Sequence, residues 1–197
     1  FNRFFWITCL TIFIFIVLRA FFIPFSHDEA ATFFFYIQSG NYLPYKAHVY
    51  TNNHILNSAL AHVFFNFFGS HRFVLRLPNV LSFLLLCISV YRHFKYLNNL
   101  PSKLILITFL ILTLNFLDFF ELCRGYGLSI AFLVIGLSYL LDYFTLKNSR
   151  SFFLFSIFFQ LALSANLILV VLFALLLVFV IIFQIRYKLF FNLYNLC

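Results

Sequence analysis

The sequence predicts an all-α polytopic membrane protein of about six transmembrane helices, with interfacial helices in a long first outside loop, forming a single domain over residues 1–197. Three observations carry this expectation. Hydrophobic residues make up 64% of the chain and charged residues 9%, with a mean hydropathy of +1.04. A soluble domain of this length leaves too much surface in water to hide that much apolar area. Apolar runs close to the roughly 20 residues that cross a hydrocarbon core recur along the chain. Lys and Arg fall mainly between alternate pairs of those runs, the pattern of the positive-inside rule.

The six runs are 4–23, 73–91, 104–120, 126–144, 152–165 and 167–185. The first is too long for a cleaved signal peptide, and no small-residue cleavage site follows it, so it reads as a signal anchor. The third carries Asp118 near its end, and the fifth is short and needs its polar flanks to span. If all six cross, Arg3, Arg92, Lys95, Lys103, Lys147, Arg150, Arg186 and Lys188 share one side with a single acid, Asp142. That side accounts for +7 of the net charge of +8 and is cytoplasmic by the charge rule, so no nucleic-acid partner is needed. Residues 54–68 are apolar at helical spacing but short, and they include Asn57, Ser58, His62 and Asn66. They are expected to lie at the interface, because a further crossing would put Arg92 and Lys95 outside. The loop 24–71 is thus long and aromatic, and long ordered loops tend to be functional. Cys9, Cys87, Cys123 and Cys197 have neither metal-ligand nor disulfide spacing and read as small core residues. A start at Phe1 and an end soon after a hydrophobic run lead us to expect a fragment of a longer chain.

Four clusters could carry chemistry, all on the outer side. Ser26-His27-Asp28-Glu29 fits a capping box, with Ser26 and Glu29 closing a helix start whose dipole favours negative charge. Capping explains one carboxylate but not an adjacent second one beside a histidine, at a depth where ionisable groups are costly and often functional. Tyr50-Thr51-Asn52-Asn53-His54 supplies a helix cap at Asn52 or Asn53, and a histidine that is either functional or merely interfacial. Arg72 and Arg76 are four apart at the outer end of the second run. They either snorkel or clamp a lipid phosphate between two guanidiniums. Asp118, Glu121 and Arg124 are spaced by threes ahead of Gly125-Tyr126-Gly127. A structural pair of Glu121 with Arg124 is the simplest reading, and the glycines suggest a turn or a close backbone approach.

Taken together, the acidic pair Asp28-Glu29 after the first run, the Thr51-Asn52-Asn53-His54 segment, Arg76-Leu77-Pro78 and the Asp118–Tyr126 stretch resemble the GT-C membrane glycosyltransferases. That superfamily includes protein O-mannosyltransferases and the aminoarabinose transferase that modifies lipid A. The resemblance covers roughly residues 4–185, the N-terminal part of the family's usual chain. It implies transfer of a sugar from a polyprenyl-phosphate donor to a lipid-linked or protein acceptor, at the outer face of a bacterial inner membrane. By that resemblance Asp28 is the general base, helped or positioned by Glu29, since a partly dehydrated carboxylate is a better base. His54 and Tyr126 belong to substrate binding, and Asp118 or Glu121 orients the acceptor or a divalent cation, the one cofactor candidate. Arg124, Arg72 or Arg76 holds the departing lipid phosphate. His54 is followed by Ile55-Leu56 where many relatives have two prolines. Two rivals make different demands. A transporter or flippase needs ionisable groups deep in the spans, where only Arg19 and Asp142 come close. A non-catalytic membrane subunit leaves the four outer acids dispersed.

Overall fold

The computed structural model describes residues 1–49 and 53–186. It is 81% helix, with no strand among the described residues. Nine α-helices are described: α1 (Asn2–Phe22), α2 (His27–Thr32), α3 (Ile55–Phe68), α4 (Arg72–His93), α5 (Leu100–Ile111), α6 (Leu114–Glu121), α7 (Tyr126–Leu146), α8 (Ser149–Ala165) and α9 (Val170–Arg186). Of the two expected caps, Asn52 lies outside the described residues, as do Lys188 and Cys197, and Asn53 does not cap α3: the residue before the helix is His54, and Asn53 Nδ2 donates to the Tyr42 carbonyl instead.

Three helices are long and apolar enough to cross a membrane: α1, α4 with the 3₁₀ turn that extends it to Tyr96, and α7. The third apolar run is not one straight helix. It divides into α5 and α6, bent by 47° at Leu112-Thr113, and counting that pair as one broken span gives four. The last two runs form shorter apolar helices. Apart from Asn2 and Arg3 at its start and Thr11, the side chains that α1 leaves exposed are large and apolar, among them Phe4, Ile7, Leu10, Ile14, Leu18 and Phe22. Such a surface suits lipid rather than water.

Ring and polar contacts fix the helix directions. Phe5 near the start of α1 packs on Tyr91 and Phe94, while Arg76 reaches the Ala20 carbonyl near the other end, so α1 and α4 are antiparallel. Asn79 accepts the Leu128 N–H at one end of α4, and Arg92 meets Asp142 at the other, so α4 and α7 run parallel. Helix α8 returns along α7: Tyr143 packs on Phe152, and Gly125 faces Ala165. Lys147, in the left-handed region at φ 53°, and Asn148, which caps α8 by accepting the Arg150 N–H, turn this hairpin. One apolar core, including Phe5, Ile16, Phe83, Leu86, Ile111 and Phe120, joins α1, α4, α5, α6 and α7. A second, including Tyr143, Phe155, Phe159 and Val180, joins α7, α8 and α9. Cys9, Cys87 and Cys123 are buried and free. The chain's acids gather at the two ends of this bundle, four at the Arg76 end and Asp142 at the other.

Candidate functional site

The segment between α1 and α2 is anchored by one buried ion pair. Ser26 and Glu29 form the capping box that their spacing predicts, each side chain accepting the other's backbone N–H. The Glu29 carboxylate then meets Arg76 in bidentate fashion, at 2.8 Å from Nε and 2.7 Å from Nη2. It also accepts the Cys123 N–H at 2.7 Å. Arg76 donates to the Ala20, Ile23 and Pro24 carbonyls as well, and both side chains are fully buried. Every guanidinium donor is therefore engaged. Burial pushes the Glu29 carboxyl up, but the Arg76, Cys123 and Ser26 donors outweigh that and hold it below the usual range. Ala20, Ile23 and Pro24 are the last turn of α1 and its exit, so this pair fixes how the first loop leaves the first helix. Glu29 and Arg76 are struts. They leave no donor for the two-arginine phosphate clamp that the spacing of Arg72 and Arg76 allowed.

Asp28, next in sequence, has a different fate. Its side chain is 39% exposed, and its carboxylate meets Arg124 Nη1 at 2.8 Å. Arg124 lies over the Tyr126 ring at 5.1 Å, and its Nη2 is 3.4 Å from the Tyr126 hydroxyl. The expected local pair of Glu121 with Arg124 does not form, because α6 ends at Glu121 and Leu122 is extended, with φ −104° and ψ 150°. Arg124 is thereby turned toward α2, and Glu121 toward α1, where Arg19 takes both acids of that stretch. Arg19 Nε is 2.8 Å from Glu121 and Nη1 is 3.0 Å from Asp118. Arg19 was not among the candidates, although an arginine inside an apolar run was the available signal. The acids thus sort in pairs: Glu29 and Glu121 are 0% and 3% exposed, whereas Asp28 and Asp118 are 39% and 45% exposed.

His54 caps the space beside Tyr126. It is buried at the start of α3, its Nδ1 is 2.9 Å from the Ala165 carbonyl, and its ring meets Tyr126 edge-on at 4.8 Å. Burial depresses its basicity, the Ala165 bond opposes that, and the Arg124 charge adds to the depression, so the neutral ring is favoured. A carbonyl partner then fixes the proton on Nδ1 and leaves Nε2 as a buried acceptor without a hydrogen bond. Gly125 makes this approach possible: a Cβ there would collide with the Ala165 carbonyl oxygen and lie 2.9 Å from His54 Cβ. Gly127 likewise admits the Phe119 carbonyl at 2.7 Å from the position of a Cβ. These are the close backbone approaches that the two glycines suggest. Behind them, Asn79 donates to Asn57 at 2.7 Å, joining α4 to α3.

Asp28, Glu29, His54, Arg76, Arg124 and Tyr126 therefore belong to one neighbourhood, and Glu121 and Asp118 meet on Arg19, the residue before the Ala20 carbonyl that Arg76 holds. Arg72 stands apart, beside Phe25, Phe33 and Phe34. Among the described residues no group of three or more His, Cys, Asp or Glu side chains is placed to hold a metal ion. No protein-family model, curated protein or solved structure matches the chain.

Proposed function

We propose that this chain forms the base-bearing part of a membrane glycosyltransferase of the GT-C kind. It moves a sugar from a polyprenyl-phosphate donor to a hydroxyl-bearing acceptor at the non-cytoplasmic face of a six-span arrangement. Asp28 takes the proton of the acceptor hydroxyl as its oxygen attacks the anomeric carbon. The bond from that carbon to the phosphate oxygen breaks, and Arg124 receives the charge of the leaving phosphate. His54 Nε2 accepts a hydrogen bond from a sugar or acceptor hydroxyl, and Tyr126 walls the same space.

The observation that carries this reading is the pairing of a part-exposed carboxylate with a largely buried arginine: Asp28 and Arg124 meet at 2.8 Å, beside the buried pair of Glu29 and Arg76. Such an arginine has a ready exchange partner, since an arriving phosphate competes with Asp28 for it and leaves the carboxylate free to take a proton. The acids of this end are drawn together, not dispersed as a purely docking subunit requires. They also lie in the terminal turns of helices or in loops, not deep in a span as an ion path requires.

The test is Asp28→Asn, assayed in membranes for transfer of labelled sugar from a polyprenyl-phosphate donor. General-base loss costs about 10²–10⁴ in rate. We expect a fall of at least about 100-fold with insertion and expression unchanged. Transfer at the wild-type rate removes Asp28 from the chemistry.

A further inference from the structure

We propose that the cavity beside Arg72 is a site for a phosphate-bearing membrane lipid, its phosphate on the guanidinium and its first chain methylenes against Phe25, Phe33 and Phe34. The cavity measures about 310 Å³ and is lined by Phe25, Phe33, Phe34, Ser70, Arg72 and Leu75. Leu75, 1% exposed, is its floor, and Phe34, 62% exposed, stands at its mouth. That volume is at the low end of ligand pockets, enough for a headgroup and the root of a chain but not for a whole lipid.

The acids of the chain supply no counter-ion to Arg72. The chain has five acids, and each is engaged by another cation: Asp28 by Arg124, Glu29 by Arg76, Asp118 and Glu121 by Arg19, and Asp142 by Arg92 and Lys95. Arg72 has no ion pair among the described residues. Snorkelling accounts for an arginine that merely points from a helix end into water. It does not account for a half-buried arginine that lines an apolar cavity, where a charge gains from a counter-ion. Arg72 is the first residue of α4, one of the membrane-length helices, so its charge lies at headgroup level while the phenylalanines extend the pocket into apolar surroundings. A free phosphate satisfies the arginine but not the aromatic wall. A lipid phosphate satisfies both. The site uses neither Asp28 nor Arg124, so it stands or falls apart from the transfer reaction.

The experiment is a thermal-unfolding titration of the purified full chain in neutral detergent with three probes: short-chain phosphatidic acid, diacylglycerol of the same chains, and inorganic phosphate. A ligand at about 100 times its dissociation constant stabilises the folded state by about 2.7 kcal/mol, a shift of about 5–11 °C in Tm for a chain this size. We expect phosphatidic acid to give that shift and the other two probes to give less than about one third of it. Arg72→Gln abolishes it, and Phe34→Ser, at the exposed mouth, weakens apparent affinity by at least about threefold. Lys46→Gln, a control at an exposed cation, keeps it. The proposal is overturned if Arg72→Gln retains the full shift, if both Arg72→Gln and Phe34→Ser retain wild-type affinity, or if inorganic phosphate or diacylglycerol alone reproduces the effect.

Discussion

The two ends of the bundle handle charge in opposite ways. At the Asp142 end one acid serves several partners: Arg92 at 3.1 Å, with Lys95 and the Tyr96 hydroxyl closer still. Arg92 also lies over the Tyr139 ring at 4.3 Å and donates to Ser138. The result ties α7 to the end of α4, with positive charge left over. At the Arg76 end four acids share three arginines, and each acidic pair is split between a buried strut and an open carboxylate. Surplus positive charge at one end suits anionic headgroups and stable orientation. Open acids held beside arginines suit a site where charge is to be exchanged. The contrast shows that the count of charged residues at a membrane boundary says less than how many have a committed partner.

Breaking the struts should have the largest effect. Arg76→Met removes every donor on the buried face of Glu29 except two backbone N–H groups, leaving a carboxylate uncompensated. Loss of one partner of a buried pair costs about 3–5 kcal/mol, so thermal unfolding in detergent should show a large drop or failure to fold. Asp142→Asn breaks a cluster whose cations are a third to a half exposed, and solvent screening reduces its weight. About 1–2 kcal/mol is expected in the same assay. If Asp142→Asn proves the costlier of the two, the roles assigned to the two ends are reversed.

A smaller effect sharpens the comparison through pH. His54 has a folded-state affinity for protons below that of the unfolded chain, so the unfolded chain binds the proton first and stability falls on acidification. That loss begins as pH drops below the ordinary histidine value of 6.5 and levels off below the depressed folded value. Glu29 has the same sign in a lower window: its stabilisation is full above the ordinary value of 4.5 and fades as pH falls through its depressed folded value. His54→Asn should therefore flatten the unfolding profile just below pH 6.5 and leave the more acidic limb in place. An unchanged profile contradicts the buried, neutral state of His54.

What could be read from the sequence was whatever depends on local spacing. The Ser26–Glu29 capping box and the helix over Ile55–Phe68 follow from neighbours within a turn or two, whereas Gly125 and Gly127 signalled a close approach without revealing that Ala165, His54 and Phe119 are what approach them. Arg72 and Arg76 show the limit. As sequence they are equivalent arginines on one helical face, yet one is wholly buried and the other lines a cavity, because only tertiary packing brings Glu29 to the second. The partner exchange that sends Arg124 to Asp28 and Glu121 to Arg19 has the same origin, since helix α6 stops at Glu121 and voids the three-residue spacing. Six apolar runs gave three membrane-length helices and a bent pair because composition measures apolarity, not straightness. Nothing but a threonine, Thr113, marks the break between α5 and α6.

The central claim is that adjacent acids at the Arg76 end have separate roles, Glu29 holding the fold and Asp28 remaining open to exchange. Side-by-side unfolding of Glu29→Gln and Asp28→Asn in the same detergent tests it most directly. Glu29→Gln should lose about 3 kcal/mol or more, and Asp28→Asn less than about 1 kcal/mol. Equal losses, or a larger loss for Asp28→Asn, would contradict the division.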